Sequence, residues 1–460
     1  MKGVWNKVIR VNLTNEEINI ESYEEKLWRQ YLGGSGLGAK LLYDEVDGNV
    51  EPLSPENKIY FLTGPFCGSS IPTSGRHAAV TKSPLTGAFA ESDVGGCWGY
   101  ELKNAGYDGI ILEGRAEKIS GQKMAETILT GNYRCKTCII GCGRVIKIQE
   151  GPYKGVEGSG PEYEALGTLG GLCLIDNLEA IAYGNELCNK YGIDVISTGA
   201  SIGFAMELYE KGIITKEDTG GLEIKFGDEK VMIELIKLIG ERKGFGEVLG
   251  EGVRIAAERI GGLAKEYAFH VKGLEFPAHD PRAFNGLALS YATSNRGACH
   301  LAGFTHGYEK ANKIPELGYD KPHDRHTTEG KAEFVIKMQN LMGVVDSLKV
   351  CKFAVSNGLK ISTLVDWVKF VVGWEDYSFE ELIKTGERIY NIKRLFNVKC
   401  GISRKDDTLP MRFLTLKREG EGVQVNLPPL GKMLSEYYEI RGWNEVGIPT
   451  DSKLKELDIL

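Results

Sequence analysis

Glutamine is scarce in this chain, five in 460 residues, and histidine is little commoner, at seven. So few labile amides beside plentiful Lys and Glu resemble the usage of proteins from hot environments, where ion-pair networks help. No run of five like charges occurs, and 56 basic against 63 acidic residues leave a net charge of −7. That balance excludes a nucleic acid or an anionic membrane held by charge alone. No stretch approaches the ~18 apolar residues of a membrane-spanning helix. The start, Met1-Lys2-Gly3-Val4-Trp5-Asn6, has neither the apolar segment nor the small-residue cleavage site of a secretory leader. These absences read as a soluble, cytoplasmic protein. A reducing cytosol in turn disfavours disulfides as the use of the ten cysteines, so some are expected to be ligands.

What is present divides the chain unevenly. Residues 1–118 are glycine-rich, with β-type runs at Val8–Val11, Ile59–Leu62, Ala78–Thr81 and Gly109–Leu112 between turn signals. Beyond them helical periodicity takes over. Asp176 or Asn177 can cap one helix and Asp194 a second, and further helical patterns fall at 229–240, 330–343, 361–371 and 379–396. The expected fold class is α+β, a β-rich domain over 1–118 followed by mainly α-helical domains over 119–269 and 270–460. The glycine run Gly33-Gly34-Ser35-Gly36-Leu37-Gly38 lacks the G-x-G-x-x-G spacing and follows a helix-like stretch. It reads as a turn opening the next helix.

Cys135-x-x-Cys138-x-x-x-Cys142 places three thiols within one or two turns of chain, a spacing that lets them converge on one face of a cuboidal cluster. Zinc usually takes two close pairs, so a triplet plus one remote cysteine suits a [4Fe-4S] cluster better. The fourth ligand could be any of Cys67, Cys97, Cys173, Cys188, Cys299, Cys351 and Cys400, and spacing does not choose among them. Downstream, Gly160-Pro161-Glu162-Tyr163-Glu164 offers two carboxylates. His300 closes Asn295-Arg296-Gly297-Ala298-Cys299-His300.

Taken together, these segments resemble the tungsten-containing aldehyde:ferredoxin oxidoreductase family along nearly the whole chain. The similarity is carried by Pro72–His77 and Thr81–Gly87, Gly95-Gly96, Glu101–Asp108, the Glu162–Glu164 segment, Asn295-Arg296-Gly297, Asp406–Phe413, and Tyr437-Tyr438 to Trp443. The resemblance implies a tungsten or molybdenum ion held by two pterin cofactors in a cradle formed by the N-terminal domain, with the cluster nearby as the electron exit. Cys351 is then the fourth cluster ligand. Asn189, Asp194 and Asp346 would contact pterin edges, and Arg76 would bridge cluster and cofactor. Backbone around Asp93 and Gly95 would approach cofactor phosphates bridged by magnesium. Glu164 would activate water, and His300 would donate to the carbonyl oxygen. The implied reaction oxidises a small aldehyde to the carboxylic acid and passes electrons to ferredoxin.

Three departures carry expectations of their own. Lys349 stands where the motif has glycine, so a left-handed backbone there should be strained. Asp93 stands where asparagine is common, adding negative charge beside the phosphates. A domain-sized segment is missing between Lys118 and Ile119, which shortens the pterin cradle and leaves sheet edges that invite another subunit, a second copy or a rearranged fold. A partner chain, a degenerate cluster-binding paralogue and an internal deletion in the gene are the competing explanations. The alternative is a non-catalytic electron-transfer paralogue that keeps the cluster without the pterins. Related enzymes also include acid and aromatic acyl-CoA reductases.

Overall fold

A computed structural model of the chain describes residues 2–15, 17–96, 98–114, 145–418 and 425–460. Six short strands form one sheet: β1 (Val8–Asn12), β2 (Glu17–Glu21), β3 (Lys58–Thr63), β4 (His77–Lys82), β5 (Phe89–Val94) and β6 (Gly109–Glu113). Their order is β2-β1-β6-β3-β4-β5. The β1–β6 pair is parallel and the other neighbours antiparallel. Period-2 alternation sends Tyr60, Leu62, Ala78 and Val80 to one buried face. The helix Gly34–Glu45 packs on β3 and β4. The four β-type runs of the sequence are β1, β3, β4 and β6. The two strands not foreseen, β2 and β5, lie at the sheet's edges and carry acidic residues where a core-facing strand would carry apolar ones.

Helices dominate after residue 160. Asn177 caps the helix Leu178–Tyr191 by accepting from the backbone of Glu179 and Ala180, and Asp194 caps Val195–Glu210 by accepting from Ser197. The helical patterns appear as Glu229–Glu241, Lys331–Leu348, Ile361–Val372 and Phe379–Lys399. The sheet and the helices after residue 270 bury one continuous apolar core, and the segment from Leu169 to Ala268 buries a second. Mixed α and β with a sheet at the N-terminal end is the fold class expected. No helix of the described residues is long and apolar enough to cross a membrane.

One close approach positions the site. The helix Lys331–Leu348 ends against the strand-to-loop junction at Gly64, where an added Cβ would lie 2.6 Å from the Ser347 carbonyl oxygen and 2.7 Å from the Leu348 carbonyl carbon. Only glycine lets that helix end come down beside the sheet, and with it come Asp346, Lys349 and Cys351.

Candidate active site

A cavity of about 280 Å³ opens where β5, the loop carrying Arg296 to Ala302 and the segment Asp346 to Phe353 meet. The edge strand supplies Glu91 and Asp93, and the helix end supplies Asp346. Asp194 lines the same cavity while capping its helix. Basic groups answer these acids. Lys352 lies 2.5 Å from Asp346 and 3.8 Å from Asp93, Lys349 pairs with Asp93, and Lys393 is 2.8 Å from Glu91. Arg76 Nη1 donates to Cys351 Sγ at 3.5 Å, and Arg296 Nη2 to Cys299 Sγ at 2.7 Å.

The charges do not balance evenly. Burial pushes the Asp93 carboxyl up, but Lys349 and Lys352 outweigh it and hold the group well below the usual carboxylate range. For Asp346 burial prevails over Lys352, helped by the neighbouring Asp93, and its pKa is pushed up to about 6. Lys349 has φ +64°, the left-handed backbone that favours glycine. This conformation costs roughly 1–2 kcal/mol in a non-glycine residue. Its side chain forms a buried ion pair with Asp93, so two departures from the family pattern meet as one salt bridge.

Beside the cavity lies a cluster of one acid and three imidazoles. Glu164 sits on the short turn Tyr163–Ala165, followed by a π-helical turn over Leu166–Gly171, a geometry that often marks functional sites. Gly167 lets the opposite strand of chain close in, since a Cβ there would fall 2.3 Å from Ala278 Cβ. Ala278 N then donates to Glu164 Oε2 at 2.8 Å. Glu164 Oε1 is buried without a hydrogen-bond partner, 3.5 Å from both His279 Nε2 and His300 Nε2. The His279 ring centre is 4.9 Å from that of His300 and 4.3 Å from that of His306. Burial pushes the Glu164 carboxyl up. It also pushes the imidazoles down, His279 to about 4, His306 to about 3 and His300 well below its ordinary value. All three rings are therefore neutral near pH 7.

The structure brings most of the sequence-predicted residues together. Arg76, Asp93, Asp194, Asp346 and Cys351 line the cavity, and Gly95 follows β5 directly. Glu164 and His300 meet beside it, His300 being the neighbour of cavity-lining Cys299. Asn189 instead lies exposed on the last turn of its helix, outside the cavity lining. Cys135, Cys138 and Cys142 fall outside the described residues. Sequence reasoning missed His279, His306, Glu91 and Lys352. The two histidines sit in no local motif with His300, and their one signal was scarcity, since three of the seven histidines converge here.

Comparison with known proteins gives the fold and the family. The fold matches the active-site complex of benzoyl coenzyme A reductase bound to 1,5-dienoyl-CoA, with a TM-score of 0.83 at 20% identity, covering 100% of this chain and 97% of that one. The tungsten-containing aldehyde ferredoxin oxidoreductase of Pyrococcus horikoshii is 32% identical over 617 aligned positions, which take in 100% of this chain and 99% of the relative. That of Pyrococcus furiosus is 32% identical over 615 positions, with the same coverage. The WOR-like subunit of the aliphatic sulfonate oxidoreductase of P. furiosus is 25% identical over 634 positions, covering 98% and 96%. An alignment of 617 positions against 460 residues leaves a domain's worth of the relative without a counterpart here.

The chain is an oxidoreductase by descent. Family models for the aldehyde ferredoxin oxidoreductase N-terminal domain and for domains 2 and 3 match residues 8–122 and 98–459, and the chain belongs to the aldehyde ferredoxin oxidoreductase family.

Proposed function

We propose that this enzyme oxidises a small aldehyde to the carboxylic acid in the cytoplasm and passes the electrons to ferredoxin. The observation that carries this reading is the meeting of Glu164 and His300 beside a cavity of mixed acids, arginines and lysines. The donor set fits a tungsten or molybdenum bis-pterin. Buried carboxylates such as Asp346 and Asp194 suit the N–H edges of pterins, and Arg76, Arg296, Lys349 and Lys352 suit thiolate and phosphate charge. Asp93 and Gly95 are the proposed place for magnesium at the phosphates. Cys135, Cys138, Cys142 and Cys351 would hold the [4Fe-4S] cluster, with Arg76 hydrogen-bonded to the last of them.

When bound, the pterin-held metal supplies a two-electron acceptor and the cluster a one-electron relay. The protein's own part is acid–base work on RCHO + H₂O → RCOOH + 2 e⁻ + 2 H⁺. Glu164 Oε1, buried and without a hydrogen-bond partner, takes a proton from water as its oxygen attacks the carbonyl carbon, a task that suits a carboxylate whose pKa burial has raised. His300, a neutral imidazole, donates its N–H to the carbonyl oxygen as negative charge develops there.

The test is metal analysis of protein purified without oxygen, followed by aldehyde-dependent reduction of ferredoxin or viologen. About four irons and about one tungsten or molybdenum per chain, with aldehyde-dependent reduction, are expected. The segment absent relative to the longer family members favours one second reading, an electron-transfer paralogue that keeps the cluster and has lost the pterins. Iron without tungsten or molybdenum would select it. Co-purification of a second chain would identify a partner subunit, and a size measurement would reveal a homo-oligomer.

A further inference from the structure

The Glu164 cluster has the composition and spacing of a cation site that needs no cofactor. We propose that Glu164, His279 and His300 bind one divalent cation of the zinc class directly, with one or more coordination positions left open. This goes beyond aldehyde oxidation, although it uses the same carboxylate.

Spacing is the first argument. Both Nε2 atoms stand 3.5 Å from one carboxylate oxygen, and the three ligand atoms lie within 4.8 Å of one another. Bonds of about 2.0–2.1 Å in a tetrahedron put ligand atoms roughly 3.3–3.4 Å apart. Two edges of the site are thus nearly at bonding geometry, and the third is at most 4.8 Å long. The same 3.5 Å is longer than an ordinary N–H···O hydrogen bond, which runs ~2.7–3.2 Å. The acid and the imidazoles are therefore gathered without being bonded to each other.

The second argument is the orphaned oxygen. Glu164 is 9% exposed, its Oε2 is anchored by Ala278 N, and its Oε1 points into the cluster with no hydrogen-bond partner. Among the described residues no lysine or arginine pairs with it. A buried carboxylate oxygen with neither a hydrogen-bond partner nor a lysine or arginine beside it lacks a counter-charge, and a cation supplies it. His306 Nδ1 is buried and unpartnered as well, so a third imidazole stands beside His279 to complete or brace the shell. Tyr163 Oη now lies 2.5 Å from His279 Nε2. A cation would displace that contact, and Tyr163 is 47% exposed.

Ligand chemistry sets the class. Two imidazoles and one carboxylate suit Zn²⁺, Co²⁺ or Fe²⁺, whereas Mg²⁺ and Ca²⁺ prefer all-oxygen shells. A cation here occupies the oxygen that Glu164 would use as a base, so cation binding and turnover exclude each other.

The test is titration of the anaerobic holoenzyme with Co²⁺, read in the visible and near ultraviolet. One equivalent is expected, with weak ligand-field bands, no thiolate-to-cobalt charge transfer, and displacement by Zn²⁺. The His279→Ala variant should bind at least about tenfold more weakly. Binding that carries thiolate charge transfer would assign the cobalt to cysteines and overturn the site, as would no binding or unchanged affinity in His279→Ala. Should that variant fail to fold, crystals of the unaltered protein soaked in Zn²⁺ and measured at the zinc edge decide. An anomalous peak among the three side chains supports the site, and no peak there sinks it. None of these readouts uses an aldehyde, so failure of the aldehyde reading would appear separately, as absent aldehyde-dependent reduction in untreated enzyme.

Discussion

Two buried acids, Asp407 and Glu164, have opposite surroundings. Asp407 is gripped by Arg394 Nη1 at 2.9 Å and Nη2 at 2.8 Å, by Lys272 Nζ at 2.8 Å, and by the Tyr438 hydroxyl. Burial pushes its pKa up, and the two cations more than reverse the effect. Glu164 is buried too, though less completely, has the Ala278 N–H and, among the described residues, no cation beside it, and its pKa is raised by that burial. Burial alone therefore does not decide the charge of an interior carboxylate. The facing cation does. The locked acid ties the C-terminal helices together, and the unlocked one is free to exchange a proton or take a metal.

That contrast can be broken by experiment. Glu164→Gln should lower the aldehyde oxidation rate by about 10²–10⁴ while leaving the iron content and melting temperature close to those of the parent. A large loss of stability with little loss of rate would place Glu164 in the same structural class as Asp407. Conversely, Asp407→Asn leaves Lys272 and Arg394 buried without their counter-charge and should cost about 3–5 kcal/mol in urea unfolding. If it costs under 1 kcal/mol, the knot is not what holds those helices.

A smaller effect concerns His77, buried in β4 against Trp98 with ring centres 4.4 Å apart. Burial, with Lys349 nearby, lowers its pKa from 6.5 to about 4, so the folded protein keeps the ring neutral. Its contribution is complete above about pH 6.5 and is lost as pH falls toward 4, because the unfolded chain takes the proton first. His77→Phe should therefore reduce the drop in urea midpoint between pH 7 and pH 5, and an unchanged drop would mean that other groups carry it. Smallest of all, Asn177→Ala removes a helix cap that touches neither acid's hydrogen bonds and should cost about 1 kcal/mol in the same assay, without touching the rate.

Much of the fold was legible because it rests on local periodicity. Four of the six strands of the N-terminal sheet, the caps Asn177 and Asp194, and the long helices all follow from alternation, capping chemistry and 3.6-residue spacing. The edge strand β5 was not legible, since Glu91 and Asp93 interrupt its apolar pattern, and only the fold shows that Lys393 and Lys349 wait for them. At the site, short-range segments pointed to Glu164 and His300 through family likeness. His279 and His306 could not be reached that way, because nothing in their spacing relates them to Glu164 until the Ala278 segment lies against the Tyr163 turn. Lys349 shows the same limit from the other side. Its left-handed backbone was foreseeable from the glycine it replaces, whereas its pairing with the equally unusual Asp93 lies 256 residues away along the chain.

Gly167 gives this arrangement an unusual sensitivity. It has no side chain, yet it fixes how near the imidazole-bearing segment can come to the carboxylate. In a saturation-mutagenesis scan it should behave as an essential position, with even alanine rejected, although it offers nothing to a substrate. Selection for the chemistry would then be recorded at a residue whose contribution is empty space.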